Sequence, residues 1–382
     1  MPNPERPIYL DYNATTPVAP EVLEAMLPYL REEFGNPSST HPYGRRARAA
    51  VERAREQVAE LLGAQAEELF FTSGGTEANN LAIRGVMEAR PERRHLVTST
   101  IEHPATALPC RHLERGGCEV SWVGVDAEGR VRVEQALAAL RRDTALVTLI
   151  HANNETGVLQ PVKELARAAR AAGAVVHLDA AQSVGKVPVS VAALDADLLT
   201  VVGHKLYAPK GVGALYVRRG TPLRPFALGG GQEHGKRPGT ENVPYIVGLG
   251  AACELARGRL ARGTVALVEL RERLWWRLQA EVPGMRLTGH PTERLPNTLN
   301  VRFPGVRGSA VLAGAPEVAA STGSACHEGG ETASSVLLAM GLPPEEALGA
   351  VRLTLGHGTT AEEVDVAAAA LSRAWRVATG SG

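Results

Sequence analysis

The residues of this chain that could form a covalent intermediate include one lysine in an unusual setting. Five lysines occur among the 382 residues, and Lys205 is the one that directly follows an apolar run, residues 198–202. Pro209 and Gly211 then close the loop. Burial lowers the pKa of an ammonium group and frees the amine as a nucleophile. Lys205 is therefore a candidate nucleophile, and a lysine in a surface loop is the alternative.

A glycine-rich turn between an apolar segment and a helical one is a candidate anion site. The pattern predicts a strand at 69–72, a tight turn at 73–76 and a helix at 77–88. Glycine lets backbone N–H groups approach a ligand and a helix N-terminus carries positive potential, so Gly75 and Thr76 could hold a phosphate. The alternative is an ordinary turn with Thr76 as the N-cap of the helix.

Two more polar residues follow predicted buried strands. Asp179 comes at the end of the strand 175–178, where a buried carboxylate needs a cation or hydrogen-bond donors. A protonated pyridine nitrogen is one candidate for this partner. The alternative is that Asp179 caps the next turn. His103 follows the strand 95–99. Its imidazole could stack on a flat ring or move protons near neutral pH, or it could cap the helix that follows.

A cysteine and an arginine complete the set of candidates. Cys326 lies in a Gly- and Ser-rich stretch beside His327, which is typical of an exposed and reactive thiol, with an incidental surface thiol as the alternative. Arg352 lies inside an apolar strand, where its guanidinium needs an anionic partner. That partner is either a substrate carboxylate or an acidic side chain of the protein.

The elements that must position these residues alternate along the first 217 residues. Short apolar strands alternate with helices, a pattern that predicts an α/β fold with a mostly parallel, seven-stranded sheet covered by helices. Ligands bind such sheets where loops leave the carboxyl ends of the strands, which is where the candidates cluster. Beyond about residue 243 a long helix and a few short strands predict a smaller α+β domain. The expected large domain covers residues 12–255, and the small domain covers 1–11 and 256–382, including the cysteine loop at about 321–334.

Composition excludes several classes of function. The formal net charge is +0, which gives no electrostatic basis for binding nucleic acid or an anionic membrane. No apolar run approaches the roughly 18 residues of a membrane span, and the N-terminus lacks a signal pattern. The four cysteines are widely spaced without a CxxC motif, so neither a metal site nor a disulfide framework is expected. We expect a cytoplasmic protein with reduced thiols.

Taken together, the candidates form the inventory of a pyridoxal 5'-phosphate site. A phosphate cradle, an aspartate at a strand end, a histidine that stacks on a ring and a sheltered lysine are what this cofactor requires. The lysine forms the Schiff base, and the aspartate keeps the pyridine nitrogen protonated, so that the ring acts as an electron sink.

The chain resembles the cysteine desulfurases, which belong to the class V aminotransferases of fold-type I. The resemblance extends from about residue 8 to the C-terminal helix. It is carried by eight motifs in order: LDYNATTP at 10–17, TSGGTEANN at 72–80, EH at 102–103, NNETG at 153–157, DAAQSVG at 179–185, GHK at 203–205, GGGQEHG at 229–235 and GSAC at 323–326.

The resemblance implies a role for each matching residue. Lys205 would form the Schiff base, His103 would stack on the ring and help proton transfer, and Asp179 would pair with the ring nitrogen. For the cofactor, Gln182 would face the phenolic oxygen, and its phosphate would be bound by Gly75, Thr76 and His204. Thr240 would reach the phosphate of the other protomer. For the substrate, Asn154 and Arg352 would hold the carboxylate, and Asn13 would also contact it.

The resemblance also implies a reaction and its partners. L-Cysteine would be converted to L-alanine, with its sulfur kept as a persulfide on Cys326 and passed to acceptor proteins such as an iron–sulfur scaffold, or used for tRNA thiolation. A homodimer with sites shared across its interface is implied as well.

Three departures from the family pattern bear on this interpretation. Val202 stands where the family often has serine, His327 follows the cysteine where Thr or Ser is usual, and Ala333 precedes Ser334 in place of proline. The Cys-His pair is closer to relatives similar to selenocysteine lyases, so that activity remains the alternative. More distant alternatives are an ordinary class V aminotransferase and a non-catalytic scaffold for sulfur relay.

Overall fold

The computed structural model describes residues 6–323, 326–327 and 330–380. Within these residues the strands are β1 (Ile8–Tyr9), β2 (Leu69–Thr72), β3 (His95–Ser99), β4 (Glu119–Val123), β5 (Thr144–Ile150), β6 (Val175–Asp179), β7 (Leu198–Val202), β8 (Gly213–Val217), β9 (Arg286–Leu287), β10 (Thr298–Arg302), β11 (Val318–Ala319), β12 (Cys326–His327), β13 (Gly330–Glu331) and β14 (Ala350–Thr354).

The α-helices are α1 (Pro20–Arg31), α2 (Pro42–Leu62), α3 (Gly75–Ala89), α4 (Pro104–Arg115), α5 (Val133–Ala138), α6 (Val162–Ala171), α7 (Val243–Glu281), α8 (Gly308–Ala313), α9 (Ser335–Ala339), α10 (Pro344–Leu348) and α11 (Ala361–Thr379). Short 3₁₀ turns occur at Ala66–Glu68, Gly203–Lys205 and Gln232–Gly235.

A seven-stranded sheet with the order β2-β8-β7-β6-β5-β3-β4 forms the centre of the fold. The neighbours from β7 to β4 are parallel, whereas β8 is antiparallel to both β2 and β7. Only the short 3₁₀ turn Gly203–Lys205 and a loop separate β7 from β8, so the chain turns back beside the strand it has just left. Parallel neighbours, in contrast, need a crossover connection. The predicted α/β class with a mostly parallel sheet is confirmed.

Both faces of this sheet are covered, because successive side chains of each strand point to opposite sides. Leu96 and Leu198 belong to a core under α3, while the adjacent Val97 and Leu199 belong to a larger core on the other face. This two-sided burial explains why inner strands such as β5 and β7 are nearly continuous apolar runs in the sequence, whereas the edge strand β4 is not.

A third core forms in the C-terminal part and includes residues near the N-terminus. Leu10, Leu274, Val301 and Leu371 are among its members, and β1 pairs with β11 in this region. Helix α7 contributes Ala256 to the large core and Leu267 to this third core. The large core also includes Val336, Leu337 and Met340, so the cores do not divide the chain at a single residue, and the domain bounds stay a prediction.

Helix ends follow the expected capping chemistry. Thr360 and Glu363 form a capping box at the start of α11, and Gly63 ends α2 in the left-handed conformation. Within the described ranges, none of the helices combines the length and hydropathy of a membrane-crossing segment. No cluster of His, Cys, Asp and Glu suited to a metal ion occurs in that same part of the chain.

Candidate active site

A cavity of about 400 Å³ lies at the carboxyl ends of β5, β6 and β7. It brings together ten of the residues that the sequence predicts for the site: Asn13, Gly75, Thr76, His103, Asn154, Asp179, Gln182, His204, Lys205 and Arg352. They come from segments more than 300 residues apart in the chain, so the cavity exists only in the folded protein.

Lys205 ends the 3₁₀ turn that follows β7, and its amine lies in this cavity. Its Nζ donates hydrogen bonds to the carbonyl oxygens of Asn13 at 2.5 Å and Ala14 at 2.6 Å. Burial, together with the charge of Arg352, lowers the pKa of Lys205 to about 8. About a tenth of the amine is therefore neutral at pH 7, far more than for an ordinary lysine. The surface-loop alternative is wrong for Lys205, whereas Lys210 is exposed.

Asp179 is the last residue of β6, and its side chain is only 3% exposed. Its Oδ2 accepts hydrogen bonds from Asn79 Nδ2 at 2.7 Å and from Thr106 Oγ1 at 3.4 Å. Its Oδ1 accepts one from the backbone N–H of Ala181 at 3.1 Å, so Asp179 also caps the following turn. The capping alternative therefore holds and neutral donors also reach the carboxylate, whereas its pairing with a pyridine nitrogen stays a prediction.

A buried ladder of side chains fixes the strand that carries Asp179. The ring of His177 on β6 bridges Thr148 on β5 at 2.8 Å and Thr200 on β7 at 3.0 Å. Burial lowers the pKa of His177 to about 4, so the ring is neutral and serves as both donor and acceptor. The ladder aligns three parallel strands two residues before the aspartate.

His103 forms one wall of the cavity and is also the N-cap of α4. Its Nδ1 accepts a hydrogen bond from the backbone N–H of Ala105 at 3.1 Å. Because Nδ1 is an acceptor, a neutral ring carries its proton on Nε2. The capping alternative thus holds alongside the position in the cavity, and the cap fixes the orientation of the ring.

The start of α3, where the phosphate cradle is predicted, lines the cavity, with one correction to the helix cap. Gly74, at φ 143°, is the N-cap of the helix, and Thr76 lies inside its first turn. The alternative that made Thr76 the N-cap is therefore wrong, and its side chain is free to line the cavity. A Cβ atom on Gly75 would lie 2.6 Å from Cγ2 of Val202, so glycine is needed where β7 approaches the helix.

His204 borders the same end of the cavity. Its Nδ1 is 3.2 Å from the hydroxyl oxygen of Thr15. Burial, with the adjacent charge of Lys205, lowers the pKa of His204 to about 4. A neutral His204 can still donate one N–H to an anion in the cradle.

Arg352 on β14 connects the smaller domain to the cavity. Its Nη2 pairs with Asp11 at 2.7 Å, and its Nη1 donates to the carbonyl oxygen of Asn154 at 3.1 Å. The alternative of an acidic protein partner is therefore correct, and Arg352 nevertheless lines the cavity. Its Nε is buried without a partner among the described residues.

Asn13 is a junction of hydrogen bonds. Its Oδ1 accepts from Lys186 at 2.9 Å and Asn297 at 3.2 Å, and its Nδ2 donates to Thr298 at 2.9 Å and to the carbonyl oxygen of Asn154 at 3.2 Å. With its amide occupied by protein groups and its carbonyl bound by Lys205, Asn13 organises the site. Contact between Asn13 and substrate stays a prediction.

Two predicted site residues are not among the described residues that line this cavity. Thr240 is exposed, just before α7. Cys326 begins β12, which pairs antiparallel with β13 through Cys326 and Glu331; the side chain of Cys326 lies outside the described part of the structure. Both roles stay predictions.

Three residues of the site escaped the sequence reasoning: Asn79, Thr106 and Lys186. Asn79 and Thr106 supply donors to Asp179, and Lys186 binds Gln182 and Asn13. One signal was available for Lys186, since it is one of only five lysines and follows Gln182 by four residues. For Asn79 and Thr106, the pairing depends on the packing of α3 and α4 on the sheet.

Comparison with known proteins decides the family. The sequence profile of the family described as Aminotransferase class-V matches residues 8–366. A protein of Trichormus variabilis named cysteine desulfurase 2 is 48% identical over 360 residues, which cover 94% of this chain and 90% of that protein.

The chain belongs to the cysteine desulfurases, within the class V aminotransferase family.

Solved structures of similar proteins agree with this family membership. A structure titled NifS-like protein superposes with a TM-score of 0.90 at 38% identity and covers 98% of this chain and 100% of its own. One titled SspA in complex with cysteine has a TM-score of 0.82 at 38% identity, covering 91% and 98%. The predicted family, fold class and type of enzyme are thus confirmed for this cysteine desulfurase family member.

Proposed function

We propose that this protein is a pyridoxal-phosphate-dependent cysteine desulfurase, which converts L-cysteine to L-alanine and holds the sulfur as a persulfide on Cys326. The observation that carries the proposal is one cavity faced by the amine of Lys205, the carboxylate of Asp179 and the imidazole of His103. Membership of the cysteine desulfurases supports it.

The residues of the cavity fit the cofactor. Asp179 is almost fully buried, yet its described hydrogen-bond partners are neutral groups of Asn79, Thr106 and Ala181. A buried carboxylate without a cation is well matched to a protonated pyridine nitrogen. At the other end, Gly75 leaves room beside Val202, and the N-terminus of α3 offers N–H groups to a phosphate.

Each residue would then have a defined task. When bound, the cofactor supplies an electron sink for the carbanion at the substrate's α-carbon. Lys205 would hold the cofactor and, once released, move the α-proton; its lowered pKa suits a base. Asn154 and Arg352 would bind the substrate carboxylate, and His103 would stack on the ring.

Further contacts would fix the ends of the cofactor. Thr76 and His204 would bind the phosphate, Gln182 would face the phenolic oxygen, and Thr240 would reach the phosphate of the partner protomer in a homodimer. The exposure of Thr240 on its own protomer is compatible with this last assignment.

The sulfur transfer balances without an external oxidant. The thiolate sulfur of Cys326 bonds to the substrate sulfur while the bond between that sulfur and Cβ breaks. The electron pair of the broken bond stays with the three-carbon fragment, which takes up a proton and leaves as alanine. One cysteine and one thiol thereby give one alanine and one persulfide.

The persulfide would next be delivered to acceptor proteins, such as a scaffold for iron–sulfur clusters or the proteins of tRNA thiolation. The proposal includes a cytoplasmic location, because persulfide chemistry on Cys326 requires reduced thiols.

A selenocysteine lyase is the second candidate, and the adjacency of Cys326 and His327 favours it. Turnover rates on cysteine and selenocysteine separate the two activities. Turnover limited to selenocysteine and unaffected by Cys326→Ala would replace the desulfurase proposal with this one.

The deciding experiment is mass spectrometry of the holoenzyme after L-cysteine is added. We expect a mass increase of one sulfur on Cys326, alanine in equal amount, and neither product in Cys326→Ala, which still binds cofactor. Lys205→Ala should lose the visible band of the lysine-bound cofactor, while the exposed-lysine variant Lys163→Ala keeps it. Sulfide release that persists in both site variants would refute these roles.

A further inference from the structure

Lys186 lies one turn beyond Gln182, in the segment that follows β6. The backbone N–H groups of Lys186 and Val187 both bond to the carbonyl oxygen of Ser183, so residues 182 and 186 share one face of a helical turn. The Nζ of Lys186 donates to Oε1 of Gln182 at 2.7 Å and to Oδ1 of Asn13 at 2.9 Å. Both acceptors are neutral amides, and no described carboxylate pairs with this lysine.

Lys186 stands behind the cofactor cavity rather than in it. It borders a separate cavity of about 30 Å³, together with Tyr12, Tyr207 and His357. Enclosure of the amine, together with the charges of Lys205 and Arg352, lowers the pKa of Lys186 well below its ordinary value. The residue thus serves as a hydrogen-bond donor more than as a charge.

The contacts of Gln182 leave a single orientation for its amide. The atom facing the carbonyl oxygen of Asn13, at 2.9 Å, has to be Nε2, because a carbonyl oxygen only accepts hydrogen bonds. Oε1 is then the atom held by Lys186. The carbonyl of Asn13 is the one described partner of Gln182 Nε2 and takes up one of its two N–H bonds. The second N–H of Gln182 is therefore left for a ligand in the cavity that this residue lines.

We propose that Lys186 is a positioning residue that holds the Gln182 amide with an N–H directed at the cofactor, as a donor to the phenolic oxygen of its ring. This inference rests on the proposed function, which supplies the cofactor. Lys186 itself touches neither cofactor nor substrate.

A donor at the phenolic oxygen stabilises negative charge there. It therefore alters the visible absorption band of the bound cofactor and the affinity of the protein for it. Without Lys186, Oε1 of Gln182 loses its donor and the amide can rotate away from the ring. Asn13 keeps its contact with Asn297, so the carbonyl oxygens that hold Lys205 stay in place. Asn13 loses one of its two described donors at Oδ1, whereas Gln182 loses the one described donor to its Oε1, so the larger change is at Gln182.

The test is a double-mutant cycle on the full-length holoenzyme, read by the visible absorption band and by the Kd for pyridoxal 5'-phosphate. We expect Lys186→Met and Gln182→Leu to shift the band in the same direction and to raise Kd about two- to tenfold, the range of one net hydrogen bond. The double variant should shift the band no further than Gln182→Leu does. Lys163→Met, which replaces an exposed lysine, should leave the absorption band and the Kd unchanged.

An unchanged absorption band in Lys186→Met would overturn the inference. Band shifts that add in the double variant would also overturn it, because a general structural role of Lys186 acts equally whether residue 182 is glutamine or leucine. If Lys186→Met gives no folded protein, Lys186→Gln takes its place with the same expectations, since its side chain is one bond shorter and does not reach Oε1. A band that Gln182→Leu leaves at the wild-type position also overturns the inference. If the wild-type protein forms no band at all, the proposed function fails instead.

Discussion

The guanidinium of Arg55 and the carboxylate of Glu233 meet in two hydrogen bonds, of 2.7 and 2.8 Å, inside the protein. Arg55 belongs to α2, and Glu233 lies in the glycine-rich segment that precedes α7. The same carboxylate accepts the backbone N–H of Phe71 at 2.8 Å, one residue before the end of β2. The ion pair therefore fastens the glycine-rich segment to the strand that leads into the proposed phosphate cradle.

Replacing Glu233 by glutamine should destabilise the protein strongly. Both partners are almost fully buried, so the variant removes the buried counter-ion of Arg55 and leaves it the more exposed Glu52, and breaking such a buried pair costs about 3–5 kcal/mol. Urea unfolding of wild type and variant gives the difference. The matched control is Glu33→Gln, which breaks the exposed pair with Arg46 and should leave stability nearly unchanged. Equal effects of the two substitutions would contradict the role of burial.

Gly75→Ala should weaken cofactor binding, because its new Cβ would lie 2.6 Å from Cγ2 of Val202 and push β7 away from the cradle. Overpacking of this kind typically destabilises a fold by about 1–3 kcal/mol. Because displacement of β7 relieves this strain at the expense of the site, we expect Kd to rise about fivefold, which corresponds to about 1 kcal/mol. Val202→Ala in the same chain removes the clash and should restore binding, as measured by titrating the apoprotein with cofactor. A double variant as weak as Gly75→Ala would reject the steric explanation. Gly258→Ala, on an open face of α7, is the control.

The sequence predicted the central sheet closely, because its strands are continuous apolar runs. The strand that delivers Lys205 was predicted at its observed bounds, and the strand that delivers Asp179 was predicted one residue short. Helices α8 and α10, of six and five residues, were not predicted.

What local patterns do not encode is the partner of each polar group. Asn13 lies 173 residues from Lys186, yet it accepts a hydrogen bond from that lysine and another, at its carbonyl, from Lys205. Arg352 pairs with Asp11 across 341 positions. Such contacts follow from the packing of the smaller domain on the sheet. The residue types of the site could therefore be predicted from the sequence, whereas the network that holds them could not.

Cofactor uptake by the apoprotein should depend on pH with a midpoint near 8. The neutral amine of Lys205 is the reactive form, so the rate should rise about tenfold per pH unit below that pKa and level off above it. Arg352→Gln removes a positive charge near the amine, which makes protonation easier and moves the midpoint to higher pH. The growth of the visible band after mixing measures the rate. A midpoint that stays in place or moves down would contradict this electrostatic coupling, and the exposed Arg167→Gln serves as control.

Ser334→Ala should slow persulfide formation without loss of cofactor. The Ser334 hydroxyl donates to Oε2 of Glu155 at 2.5 Å and also caps α9 by accepting the N–H of Leu337 at 3.3 Å. The backbone of Gly323 lies against the same carboxyl, because a Cβ there would be 2.9 Å from Oε2. Glu155 thereby joins the two ends of the segment that carries Cys326.

Burial raises the pKa of Glu155, and Ser334 is the one described donor to its carboxyl group. Alanine removes that donor and the cap together, so the two ends of the segment lose their common anchor. We expect the rate of persulfide formation on Cys326 to fall about tenfold in single-turnover mass spectrometry, while the visible band keeps its wild-type intensity. Ser334→Thr retains the hydroxyl and should recover most of the rate, and Ser335→Ala, at the exposed next position, should behave as wild type. A wild-type rate in Ser334→Ala would show that Glu155 does not position the sulfur-carrying segment.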